Sequence, residues 1–179
     1  MTETQNGYVS NRILKIQVGF LLNEGPGQSR DYEFDVPSTL RVAEDLTLDY
    51  LFGSLHLSRT SRGILVQGTL DTRIDTECTR CLEKTAVEIK VPIEALFVNP
   101  PEPGEEWNLG EDGILDLVPL VREEIILDTP IGALCRPDCA GICPTCGKNL
   151  NDGPCGCESD DVDPRFSALK KLKDDLLKE

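Results

Sequence analysis

Six cysteines stand within residues 135–157, in the run CRPDCAGICPTCGKNLNDGPCGC, and two more, Cys78 and Cys81, lie upstream in ECTRCLEK. Thiols at such spacing ligate a metal, form disulfides or carry redox chemistry. Cys78 with Cys81 and Cys143 with Cys146 are CxxC pairs. That spacing lets two sulfurs converge on one ion while the intervening amides turn toward them. Gly147, directly after the second pair, relieves the tight backbone of such a knuckle. Cys135 and Cys139 are four apart, and Cys155 and Cys157 form CxC, where the single intervening residue strains bidentate binding. A redox dithiol calls for an activated, exposed thiolate before an apolar helix, whereas CPTC lies in a Gly/Pro-rich stretch among four other cysteines. Structural zinc is the expected role.

Eight thiolates serve one or two four-cysteine ions. In one partition Cys143, Cys146, Cys155 and Cys157 close locally, and Cys135 and Cys139 join Cys78 and Cys81 across the sheet. In the other, Cys135 and Cys139 pair with the Cys143–Cys146 knuckle. Spacing leaves both open.

Nothing else in the chain has the pattern of a catalytic site. There is no phosphate-binding loop and no dinucleotide fingerprint. The single histidine, His56, sits in a strand pattern, where a structural or surface role is expected. The reading is a non-enzyme with no small-molecule substrate. The formal net charge of −14 disfavours nucleic-acid binding by bulk electrostatics, which needs Lys and Arg clusters. The polar start MTETQNGYVSNR has no apolar signal region, and no long apolar run predicts a membrane span. A thiol-reducing cytoplasm is the expected compartment. A plastid protein whose transit peptide had been removed would read the same.

The elements that must position the cysteines are mostly strands. The fold class expected is mainly β (α+β): an antiparallel, barrel-like β-domain with peripheral helices and a Cys-rich zinc-binding segment. Period-two alternation predicts strands over RILKIQVGFLL and DYEFDV, joined as a hairpin by NEGPGQSR. In DLTLDYLFGSLHLS the apolar phase moves from Leu46, Leu48, Tyr50 and Phe52 to Leu55 and Leu57, which predicts a bulge or bend at Gly53. Strands follow with Ile64, Val66, Leu70 and Ile74 on one face, then Val87 through Phe97, with Pro92 marking an edge or bulge. Cys78 and Cys81 fall between these two strands, at a hairpin tip. The acidic stretch NPPEPGEEWNLGEDG reads as a mobile loop, its Trp107 folding back onto the domain. A helix is expected from Asp116, with Pro119 in its first turn, apolar Leu117, Val118, Val121 and Ile125, and an end at Thr129-Pro130. A second is expected from Asp163 and Pro164 through Phe166, Leu169, Leu172 and Leu176. The organisation reads as a β-domain over 12–98, a loop over 99–115, and a helix, the Cys segment (135–157) and a closing helix over 116–179.

The order of these features resembles one family. A CxRCL knuckle (Cys78, Arg80, Cys81, Leu82) precedes an acidic linker and a D-L-x-P-x-x-x-E-x-I-x-L helix from Asp116 to Leu127. Then come C-x-x-x-C-x-G-x-C-P-x-C-G-x-N-L-N and a terminal DPR. Over roughly residues 12–175 the chain is similar to the YceD-like family, the large ribosomal RNA subunit accumulation proteins. That resemblance implies a role in 23S rRNA accumulation and large-subunit biogenesis, and it supplies no catalytic residue. The implied partner is a large-subunit precursor or 23S rRNA, reached directly or through a basic ribosomal protein. Arg59, Arg62, Arg73 and Arg80 are the residues expected to touch a phosphate backbone if they cluster; otherwise they pair with neighbouring acids. The competing reading is a zinc-dependent protein-interaction adaptor, or a redox-sensing thiol protein, with no ribosomal role.

Overall fold

In the computed structural model, which describes residues 8–157 together with Phe166 and Leu169, three long strands dominate. They are β5 (Thr47–Arg59), β6 (Gly63–Glu77) and β7 (Lys84–Val98), joined as an antiparallel meander. Their inward positions are those that alternation selects. Ile64, Val66, Leu70 and Ile74 of β6 and Ile89, Val91, Ile93, Ala95 and Phe97 of β7 are all buried. The free edge of β5 is covered by β3 (Ser29–Val36) and by β4 (Leu40–Arg41), and β4 also pairs with β1 (Val9–Ser10). The order is open: among the described strands β7 pairs only with β6, and no closed barrel forms. Pro92, which has no N–H to give a further strand, sits on that edge.

Three local expectations are corrected. The stretch 12–22 is not one strand. It is a 3-10 turn (Asn11–Leu14), β2 (Lys15–Gln17) and the short helix α1 (Gly19–Asn23). Leu14, Ile16 and Val18 are buried as alternation requires, but the helical turn then rotates Leu21 inward and leaves Phe20 exposed. The expected hairpin with DYEFDV is absent, because β2 pairs antiparallel with β8 (Ile114–Asp116), about a hundred residues later, and β3 pairs with β5. The bulge in β5 lies at Asp49 and Tyr50, not at Gly53: these two residues, between Leu48 and Leu51, oppose the single Arg73 between Ile74 and Thr72. Tyr50 and Phe52 are thereby turned outward, where their rings stack 5.1 Å apart. The buried Thr72 hydroxyl donates to the Tyr50 carbonyl at 2.6 Å, satisfying an oxygen at the bulge. Gly53 has another reason to be glycine. Its φ is +140°, and a Cβ there would lie 2.2 Å from the Thr69 carbonyl oxygen.

The helix α2 (Val118–Asp128) starts two residues after Asp116, whose carboxylate still accepts the Val118 N–H at 3.0 Å. It buries Leu120, Val121 and Ile125 in the core beside Leu117. The 99–115 stretch is tied down: Val98 donates to the Trp107 carbonyl, Leu109 donates back to Val98, and Arg62 bridges Glu102 and Glu105. Trp107 packs on Phe97 at 5.8 Å. The closing helix expected from Asp163 lies, apart from Phe166 and Leu169, outside the described residues. Among the described residues no helix is long and apolar enough to cross a membrane.

Candidate metal centre

The β6–β7 connection places Cys78 and Cys81 at the tip of the longest hairpin, as expected from their position between two strands. The two CxxC knuckles fold alike. The Cys78 N–H donates to the Glu83 carbonyl at 2.9 Å, and the Leu82 N–H donates to Cys78 at 2.8 Å. In the second knuckle Cys143 donates to Lys148 at 2.8 Å and Gly147 donates to Cys143 at 2.8 Å. The residue after each second cysteine is left-handed: Gly147 at φ +73° and Leu82 at +61°. Glycine reaches that region without steric cost, whereas Leu82 holds it against its own Cβ.

Following α2, the chain docks on the hairpin tip through its backbone. Thr79 donates to the Ala133 carbonyl at 2.9 Å and Ile142 to the Arg80 carbonyl at 3.0 Å. This brings Cys135 and Cys139 over Cys78 and Cys81. The other four cysteines gather separately, so the structure adopts the first of the two partitions: Cys78, Cys81, Cys135 and Cys139 in one group, Cys143, Cys146, Cys155 and Cys157 in the other. Within each group the sulfurs lie within 4.8 Å of one another. All eight thiols are free.

Each tetrad can hold a metal ion. The sulfurs of Cys78 and Cys139 are 3.8 Å apart and those of Cys81 and Cys135 are 3.6 Å apart. A disulfide needs about 2.05 Å. A tetrahedral ion with metal–sulfur bonds of about 2.3 Å sets its ligands about 3.8 Å apart. The first tetrad is mostly buried; in the second, Cys146 is exposed and Cys155 and Cys157 are half-buried.

Electrostatics point the same way. The amides of Cys81 and Cys135 aim at the Cys78 sulfur and bring its pKa down to about 6. The side-chain amide of Asn151 lowers Cys139. The Glu83 amide acts on Cys81 in the same sense but is outweighed by burial and by the other three sulfurs, and Cys81 is pushed up to about 12. Burial raises Cys135. The second tetrad repeats the contrast: Cys143 is drawn down to about 6 by the amides of Cys146 and Thr145, and Cys157 is pushed up to about 12 by the Cys146 sulfur and burial. One thiol of each tetrad is poised to ionise while another is opposed by its neighbours' negative charge. A divalent cation at the centre removes that opposition.

Two asparagines that the cysteine pattern does not reveal bind the groups together. Asn151 donates to the Cys139 sulfur at 3.4 Å and accepts from the Ala140 N–H at 2.8 Å and from Arg136 at 2.7 Å. Asn149 donates to Glu83 at 2.8 Å and accepts the Asn151 N–H at 2.9 Å. Both lie in GKNLN, between the two halves of the second tetrad, so that segment braces the first tetrad from its partner's loop.

The four arginines do not form one patch. Arg59 and Arg62 stand at one end of β6 and Arg80 beyond the other, about 45 Å apart at strand rise. Each is engaged within the chain. Arg59 donates to the Thr60 and Gly63 carbonyls, Arg62 to Glu105, Arg73 to Asp49 at 2.6 Å, and Arg80 to the Cys139 carbonyl at 2.9 Å. His56 is at the surface, its Nδ1 2.6 Å from Asp31.

The molecule thus defines a class: a β-meander whose longest hairpin shares one four-cysteine group with a Cys-rich segment that holds a second group of its own. A family model described as "Large ribosomal RNA subunit accumulation protein YceD" matches residues 66–173. The chain belongs to the YceD family. It is 34% identical to an uncharacterized Mycobacterium tuberculosis protein over 161 residues, 84% of this chain and 77% of that one. It is 27% identical to Arabidopsis thaliana "Large ribosomal RNA subunit accumulation protein YCED homolog 1, chloroplastic", over 76% of this chain and 54% of that one. With Bacillus subtilis YlbN it shares 26% identity over 63% of this chain and 67% of that one. No solved structure matches the chain significantly.

Proposed function

We propose that this protein is a non-enzymatic accessory factor for 23S rRNA accumulation and assembly of the large ribosomal subunit. One zinc ion, in the first tetrad, holds its Cys segment on the β-domain, and a second closes that segment on itself. The observation that carries this reading is membership of the YceD family over 66–173, a span that contains most of β6, all of β7 and α2, and both tetrads. Zinc is favoured over other divalent ions by an all-thiolate set of four donors, with sulfur separations in the first tetrad that suit a tetrahedral ion. The ions supply cross-links rather than chemistry: all four protein ligands of each are present, which leaves no open position for a substrate.

The scattering of Arg59, Arg62, Arg73 and Arg80, each already bonded within the chain, supports an action on rRNA through a bound protein rather than through these side chains. The working compartment is the cytoplasm, or the plastid stroma in a plant. The test is co-sedimentation. The protein is expected in sucrose-gradient fractions that hold large-subunit precursors, and to leave them when those particles are absent. Recovery only at the top of the gradient would favour the adaptor reading.

A further inference from the structure

The C-terminal end of α2 and the turn between β4 and β5 enclose an open groove of about 770 Å³. Its floor is apolar, with Ile74 and Ile125 buried beneath it. Its lip holds three large apolar side chains left in water: Tyr8 at 48% exposure, Ile126 at 50% and Ile131 at 99%. Its remaining wall is acidic, from Glu44, Asp45, Asp49 and Asp75, and no Lys, Arg or His is among its described lining residues. Two of these carboxylates are neutralised from outside, Asp45 by Arg122 and Asp49 by Arg73. Glu44 and Asp75 make no ion pair among the described residues.

The helix end adds to this field. The last turn of α2 contains no basic residue and closes on Asp128, although that terminus is the negative pole of the helix dipole and favours cations. Burial, with Asp128 and Glu123 nearby, raises the pKa of Glu124 on the same helix. An apolar surface this exposed is costly to leave bare, and the negative rim selects what covers it. Phosphate backbones and anionic metabolites are repelled. A chain that offers cations beside an apolar side chain satisfies both walls.

We propose that this groove docks a segment of a partner protein in which cationic residues flank an apolar anchor. The anchor enters between Ile126 and Ile131, and the cations face Glu44 and Asp75. This rests on the groove alone and stands apart from the ribosomal reading, so the two fail separately.

The test uses the full-length, zinc-loaded protein and fluorescence anisotropy. The probe is a labelled peptide of about 15 residues alternating leucine and lysine, with a leucine–glutamate peptide and an RNA oligomer as comparisons. The leucine–lysine peptide is expected to bind and the other two are not. Glu44→Lys with Asp75→Lys, and separately Ile126→Ser with Ile131→Ser, should each weaken binding about tenfold or more. Glu33→Lys with Glu94→Lys, the same charge change elsewhere on the exposed sheet, should alter it less than about twofold. Equal effects of the groove and control pairs would overturn the proposal, as would RNA displacing the peptide. Tighter peptide binding on removal of residues 158–179 would make the chain's own tail the occupant and overturn it too. So would a dimer abolished by the same groove variants, since a second copy would then fill the site.

Discussion

The two tetrads should contribute unequally to stability, and loop lengths say by how much. The first joins parts of the chain 54 and 61 residues apart, from the hairpin tip to the segment after α2. The second closes a stretch whose ends, Cys143 and Cys157, are only 14 residues apart. In the chain-entropy picture, a cross-link over 54 residues stabilises by about 4 kcal/mol and one over 14 residues by about 3 kcal/mol. The location of the loops matters more than that difference. The first loop contains β7 and α2, so losing it loosens the core; the second lies wholly within the Cys segment and opens locally. Replacing Cys135 and Cys139 together by Ser should therefore lower the urea midpoint of the strand circular dichroism by about 2 M, for a slope near 2 kcal/mol/M. Replacing Cys155 and Cys157 together by Ser should move that midpoint by less than about 0.5 M. It should still abolish protection from hydrogen exchange in 143–157. Equal shifts, or a larger one from the second pair, would refute the reasoning.

Other outcomes follow from the same geometry. Asn151→Ala removes the amide from the Cys139 sulfur without touching a ligand, and metal affinity of the first tetrad should fall about 10- to 100-fold in a chelator competition. Unchanged affinity would make Asn151 a loop brace only. Leu82→Gly frees the one non-glycine residue with positive φ among the described residues, itself 59% exposed, and should raise stability by about 1 kcal/mol in the same urea assay. Destabilisation would mean that the leucine packs in solution. Acid should release the metal in a definite window. Cys78 and Cys143 have folded values near 6 against 9.0 unperturbed, so the stability their ionised form lends the folded chain is full above pH 9 and is lost as pH falls through about 6. A zinc-sensitive dye should report a release midpoint at or below pH 6; a midpoint near 9 would contradict the amide-stabilised thiolates.

Much of the core was legible because two-residue periodicity is local. Ile64 to Ile74 and Ile89 to Phe97 face inward as alternation requires. Failures came where the deciding partner is distant. No local pattern could show that Lys15–Gln17 would pair with Ile114–Asp116, or that β3 would choose β5 over β2. The slip in β5 shows in the apolar phase but its place does not: Gly53 is the obvious breaker, while the extra residue lies at Asp49–Tyr50. For the tetrads, spacing limited the partitions to two, and the docking of Thr79 on Ala133 and of Ile142 on Arg80 decided between them. Asn149 and Asn151 are invisible as supports in the sequence because an amide bonded to a sulfur has no spacing signature. Their only trace was the GKNLN motif itself.

The central claim is that this zinc-clasped β-protein sustains the large ribosomal subunit. Its most direct test is the ratio of large- to small-subunit ribosomal RNA after depletion, with the wild-type chain and the Cys135→Ser, Cys139→Ser variant each restored in turn. The account predicts a selective fall in the large-subunit RNA, recovered by the wild-type chain and not by the variant. An unchanged ratio on depletion would contradict it.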